Sequence, residues 1–83
     1  MNQHTIHLWG ALRPMVGGAS SIFIEAGTIR ELFSNLLKFY PSMEPHFERG
    51  VAVSIEGKIY RDQHDTVLPE GAEIYLMPRL PGG

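Results

Sequence analysis

The chain has no cysteine among its 83 residues, which excludes disulfide staples, thiolate metal sites, iron–sulfur ligation and a cysteine nucleophile together. If sulfur chemistry takes place here, no side-chain thiol carries it. No apolar run approaches the roughly 20 residues that a membrane span needs, and Met1-Asn2-Gln3-His4 lacks the basic and apolar regions of a signal peptide. The expected location is the cytoplasm, with no membrane partner. Charge of one sign is also scarce, since seven Lys and Arg stand against nine Asp and Glu for a net charge of −2. No basic stripe is left for nucleic acid.

Catalytic equipment is missing as well. The four histidines, His4, His7, His46 and His64, show no metal-ligand spacing and are expected at the surface, and there is no Ser/His/Asp set, P-loop or dinucleotide fingerprint. Nothing supplies the acid, base or nucleophile of an independent enzyme, and no bound cofactor or metal is expected. A chain of this length forms one domain that buries only about 60–65 % of the surface its unfolded form exposes. There is room for one sheet and one or two helices.

What is present is regular alternation and one strong helix. Thr5-Ile6-His7-Leu8-Trp9 and Ser21-Ile22-Phe23-Ile24-Glu25 alternate with period two, the mark of half-buried strands. They predict a hairpin whose long loop, Gly10 to Ser20, opens with a short helical turn. Thr28-Ile29-Arg30-Glu31 reads as a capping box, with Glu31 reaching back to the cap. The helix it starts carries Ile29, Leu32, Phe33, Leu36, Leu37, Phe39 and Tyr40 at spacings of three and four, a stripe for packing on a sheet rather than a cofactor pocket, and Pro41 ends it.

Beyond the helix, residues 42–50 form a polar connection with one possible helical turn, from which Phe47 tucks back onto the core. Val51 to Ile55, a tight turn at Glu56-Gly57 and Lys58-Ile59-Tyr60 give two further strands. Val67-Leu68 is an apolar anchor and Pro69-Glu70-Gly71 a turn into the last strand, Ala72 to Met77. The expected order is β-β-α-β-β-β, an α+β mixed sheet of four to five strands with one main helix on one face and the first and last strands as its central pair. The other face would then show His7, Trp9, Phe23, Ala52, Ser54, Tyr75 and Met77. That is more apolar surface than a lone chain usually exposes, so either the loop after the first strand covers it, or the chain dimerises through it, or a partner docks there.

After the last strand, Pro78-Arg79-Leu80-Pro81 carries the chain on in extended form. Gly82-Gly83 follows, and a diglycine presents an unhindered carboxylate that threads a narrow groove. The domain expectation is therefore a folded body over 1–78 and a flexible tail over 79–83. The plain alternative is a pair of disordered glycines.

Taken together, these segments resemble the MoaD/ThiS family of ubiquitin-like sulfur carriers. The likeness runs in order through Ala11-Leu12-Arg13, Gly27-Thr28-Ile29-Arg30-Glu31-Leu32, Tyr40-Pro41, Val51 to Gly57, Leu68-Pro69-Glu70-Gly71-Ala72-Glu73-Ile74 and the tail from Pro78 to Gly83. Length and the Ala11-Leu12-Arg13 stretch are closer to the MoaD branch. Two positions depart: Glu56 stands where the family often has asparagine, and Pro81 replaces the small or apolar residue usual before Gly-Gly. The second stiffens the tail and leaves open a partner from another pathway.

The resemblance implies a β-grasp, ubiquitin-like fold and a thiocarboxylate carrier of molybdenum-cofactor type. A MoeB/ThiF-like adenylyltransferase would use ATP to convert the Gly83 carboxylate to an acyl-adenylate, which a sulfur donor would turn into the thiocarboxylate. The sulfur would pass to an acceptor such as a MoaE-like large subunit. Gly83 would be the reactive residue and Gly82 its small neighbour, with Arg79, Leu80 and Pro81 guiding the tail and Trp9, Phe23, Tyr75 and Met77 docking the partners. Two alternatives stay open: a protein modifier joined to lysines through Gly83, and a β-grasp binding module whose tail is never activated.

Overall fold

A computed structural model describes residues 3–78. Strand β1, Gln3–Leu8, pairs antiparallel with β2, Ser21–Glu25, and parallel with β5, Glu73–Pro78. On the far side of β5, β3, Val51–Ile55, pairs antiparallel and carries β4, Lys58–Tyr60, at the edge. The sheet order is β2-β1-β5-β3-β4. The first and last strands are therefore central neighbours, and the arrangement is the β-grasp that the resemblance implies.

One face of the sheet is sealed by α1, Ile29–Phe39. Ile29, Leu32 and Leu36 fall on one side of the helix and are fully buried against Ile6, Ile74, Leu76 and Val53. Phe33 and Leu37 flank that stripe half-buried, whereas Phe39, in the last turn at the edge of the stripe, is 63 % exposed and does not join the core. A second helix, α2, covers Glu44–Arg49, and its Phe47 meets Phe33 edge to face with ring centres 4.9 Å apart. The 3-10 turn over Gly10–Val16 buries Leu12 completely in the same core. The loop after β1 thus packs on the helix side of the molecule and leaves the opposite sheet face uncovered.

The start of α1 is held from outside the helix. Thr28 Oγ1 accepts from the Glu31 amide at 3.2 Å, and the Glu31 carboxylate accepts from the Gly27 amide at 2.9 Å, one residue before the cap it was expected to reach. The two amides that a cap leaves over, Ile29 and Arg30, donate to the carbonyls of Thr66 and His64. Leu68 donates to Gly27 and buries its side chain, while Val67, expected to share that anchor, is 70 % exposed. The three first-turn amides, those of Ile29, Arg30 and Glu31, are thereby met by protein.

His4 corrects the expectation that every histidine lies at the surface, because its position in β1 shares the inward face of Ile6 and Leu8 and it is 1 % exposed. Its Nε2 lies 3.2 Å from the Ala26 carbonyl. A carbonyl only accepts, so Nε2 carries the hydrogen, and the buried Nδ1 has no partner.

The β3–β4 turn places Glu56 at φ 51° and Gly57 at φ 86°. Two successive positive φ values suit a two-residue hairpin, but among the described residues Glu56 is the only non-glycine forced into that region. Replacing it with a residue that tolerates the left-handed conformation relieves the strain. Glu56→Asn is expected to raise stability by about 0.5–1 kcal/mol, read as a higher urea midpoint at unchanged slope; an unchanged or lower midpoint contradicts this account.

Candidate docking face and tail exit

The period-two geometry of the central strands decides what the open sheet face displays. Ile74 and Leu76 point to the core, so Glu73, Tyr75 and Met77 stand on the other face, beside Thr5 and His7 of β1 and Ala52 and Ser54 of β3. Phe23, opposite Thr5, extends this surface onto β2 and is 68 % exposed, and Ile59, opposite Ser54, extends it onto β4 at 46 %. Tyr75, at 44 %, stands between them. Ile59 was not among the residues expected here, since three residues of strand are too few to fix a face by alternation alone.

Two expected members of the face are corrected. Ala52 and Ser54 are buried. Both are small and sit on an inner strand, Ala52 opposite Met77 and Ser54 between Tyr75 and Ile59, so the taller side chains on either side shield them. Trp9 is corrected as well. It lies one residue past the end of β1, is half-buried, and presents its indole edge-on to His46 of α2 at 5.9 Å between ring centres. That contact joins it to the helix-side packing instead of the row formed by Phe23, Tyr75 and Met77.

A polar cluster interrupts the apolar face. His7 and Tyr75 are stacked with ring centres 4.5 Å apart, His7 Nε2 lies 3.4 Å from Glu73 Oε1, and the Tyr75 hydroxyl donates to the same oxygen at 3.2 Å. Glu73 was not singled out from the sequence: Tyr75 shares its face two residues along the same strand, but His7 lies one strand away, a contact that only the β1–β5 register reveals. The hydrogen bond to the Glu73 carboxylate raises the Tyr75 pKa above its ordinary 10.0, with the nearby negative charge and slight desolvation adding to the effect.

Strand β5 leaves the sheet at Pro78, whose backbone lies opposite Val51, the first residue of β3. The tail residues singled out from the sequence, Arg79, Leu80, Pro81, Gly82 and Gly83, lie outside the described residues. On the helix side, near Val51, Arg30, Phe33, Leu37, Phe47, Arg61 and His64 line a shallow groove of about 320 Å³. Arg30 there is paired with Asp65 at 3.1 Å. Among the described residues no group of three His, Asp or Glu is placed to hold a metal ion, and no helix is long and apolar enough to cross a membrane.

No protein-family model matches the sequence, and no curated protein does. Solved structures do match the fold. A putative molybdopterin converting factor, subunit 1, from Pyrococcus furiosus aligns with a TM-score of 0.80 at 14 % identity over 96 % of this chain and 100 % of its own. Small archaeal modifier protein 1 from Methanosarcina acetivorans aligns at 0.78 and 18 % over 100 % and 98 %. CysO of Mycobacterium tuberculosis, an antigen, aligns at 0.76 and 20 % over 92 % and 98 %. At these identities the likeness is one of fold, and it spans at least 92 % of each chain: the protein has the ubiquitin-like β-grasp of these small proteins.

The Glu73 cluster makes a prediction of definite sign. A raised phenol pKa gives stability that is present below pH about 10 and lost as pH rises through the folded-state value. Glu73→Gln removes the charge that holds the proton, so Tyr75 should titrate at lower pH, and the ring resonances of Tyr75 followed against pH measure this. An unmoved titration would show that the carboxylate does not act on the phenol.

Proposed function

We propose that this protein is a sulfur carrier rather than an enzyme, and that the Gly83 carboxylate is its working group. The observation that carries this reading is the β-grasp itself, matched over the full length of a protein named a putative molybdopterin converting factor subunit, on a chain whose sequence places Gly82 and Gly83 four and five residues past the central strand. The body is residues 1–78 and the tail 79–83. A tail leaving the middle of the sheet has a rigid base, and the open face beside it gives an activating enzyme something to grip.

In this reading the Gly83 carboxylate attacks the α-phosphate of ATP within a MoeB/ThiF-like adenylyltransferase and displaces pyrophosphate. A carboxylate is a poor electrophile and the acyl-adenylate a good one. A sulfide then attacks the carbonyl carbon, the bond to AMP breaks, and a thiocarboxylate remains as a nucleophile for an acceptor such as a MoaE-like large subunit. A persulfide donor would give an acyl disulfide first, whose S–S bond a thiol must cleave, leaving the thiocarboxylate and a new disulfide. Gly82 keeps the carbonyl accessible, Arg79, Leu80 and Pro81 thread the acceptor groove, and Phe23, Tyr75 and Met77 dock the activating enzyme. The name of the P. furiosus protein, a putative molybdopterin converting factor subunit, supports action alongside another chain and a molybdopterin-related destination for the sulfur.

A second reading is favoured by the archaeal modifier protein. The same activated carboxylate would acylate a lysine amine and form an isopeptide bond. Activation is common to both readings, and the product separates them: a thiocarboxylate on free protein for the carrier, covalent adducts with other proteins for the modifier.

Intact mass after incubation with ATP, a MoeB/ThiF-type adenylyltransferase and a sulfur donor is the test, with a Gly83-deleted chain alongside. The expected gain corresponds to one oxygen replaced by sulfur and is absent from the deletion. A folded protein that gains nothing with several activating enzymes sinks the carrier reading. Met77→Asp, on the open face, should slow activation at least about tenfold, the effect of losing one well-packed interface contact, and an unchanged rate removes that face from the docking role.

A further inference from the structure

The two edges of the sheet are not equivalent. Strand β4 is three residues long and carries Lys58, whose ammonium lies 5.3 Å from the Tyr60 ring centre, and a short, charged edge resists pairing. Strand β2 reads Ser-Ile-Phe-Ile-Glu, with no proline, no bulge and a single charge at its end. It has none of those defences over its first four residues.

The register fixes which groups of β2 face outward. The Leu8 amide donates to the Ser20 carbonyl at 2.9 Å, and antiparallel pairing alternates, so Ile22 and Ile24 direct their backbone groups to β1. Ser21, Phe23 and Glu25 direct theirs away. Asn35 Nδ2 donates to the Glu25 carbonyl at 2.6 Å, which agrees with this alternation and closes that end of the edge. No described residue pairs with the outward N–H and C=O of Ser21 or Phe23. Two donors and two acceptors stand ready beside a phenylalanine that is 68 % exposed.

We infer that β2 pairs with β2 of a second copy of this chain, antiparallel about a two-fold axis through Ile22, so that two sheets join into one. In that register Ser21 lies opposite the partner's Phe23 and exchanges both hydrogen bonds with it, and symmetry repeats the pair. All four free groups are used. The alternative register, centred on Phe23, would need the Glu25 carbonyl that Asn35 already occupies. Charge agrees with the occupant, because Glu25 lies three residues from the axis and does not meet its own copy. A two-fold contact of this kind closes on itself and goes no further than a dimer. It leaves the open face and the β5 exit uncovered, and so stands independently of the carrier reading.

The absence of cysteine makes the test clean. In the proposed register the two Ile22 positions form a non-hydrogen-bonded pair with Cα atoms about 4.5 Å apart, within disulfide reach, whereas the two Phe23 positions are offset. Ile22→Cys should therefore oxidise to a covalent dimer several-fold faster than Phe23→Cys. Sedimentation equilibrium of the unmodified full chain should show a reversible monomer–dimer equilibrium, and Phe23→Pro, which deletes an outward N–H without touching the β1 ladder, should shift it to monomer while the circular dichroism spectrum is retained. Should that variant fail to fold, the cysteine pair still decides. Faster cross-linking at Phe23, a chain that stays monomeric up to millimolar concentration, or a dimer that persists in folded Phe23→Pro each overturns the proposal.

Discussion

The parallel pairing of β1 with β5 is the constraint on which the rest depends. Parallel neighbours need a crossover, and here everything between Leu8 and Glu73 serves as one. The connection must cross one sheet face, so the longest apolar helix, α1, lies there. The row Ile6–Ile74 and Leu8–Leu76 gives Leu32 and Leu36 their floor. The remaining strands can only add at the flanks, β2 as the hairpin partner of β1 and the β3–β4 hairpin against β5.

A second linkage keeps the crossover in place. The amides of Ile29 and Arg30 end on the carbonyls of Thr66 and His64, and the Gly27 carbonyl receives the Leu68 amide. The irregular stretch before β5 is in this way bonded to the start of α1 and buries Leu68 beneath it. The exposed Arg30–Asp65 ion pair lies over the same junction but adds little, since both groups are well solvated. A helix start whose first-turn amides are already taken by the chain has none of them left to offer an anion.

Much of this was legible in the sequence because it is written in short periods. Alternation located the faces of β1, β2, β3 and β5, and Thr28 with Glu31 marked the helix start to the residue. What escaped depends on distance across the sheet. His4 reads as polar yet occupies an inward position one residue before the apolar alternation begins, and the Ala26 carbonyl that makes its burial tolerable lies 22 residues on. Ala52 and Ser54 have the right parity for the open face but not the height to reach solvent between Met77, Tyr75 and Ile59. Trp9 continues the parity of β1 past the point where the strand stops. The contacts of His7 with Glu73 and Tyr75 need the β1–β5 register, which no local pattern supplies.

The central place of β5 also bears on how the chain is made. Take β5 away and the pairings that remain are two separate hairpins, β1–β2 and β3–β4, with a gap between them and the helix lacking half its floor. Folding must wait for the last strand, since its contacts span nearly the whole sequence. A chain broken off before β5 lacks the strand that joins β1 to β3, and with it the middle of the sheet.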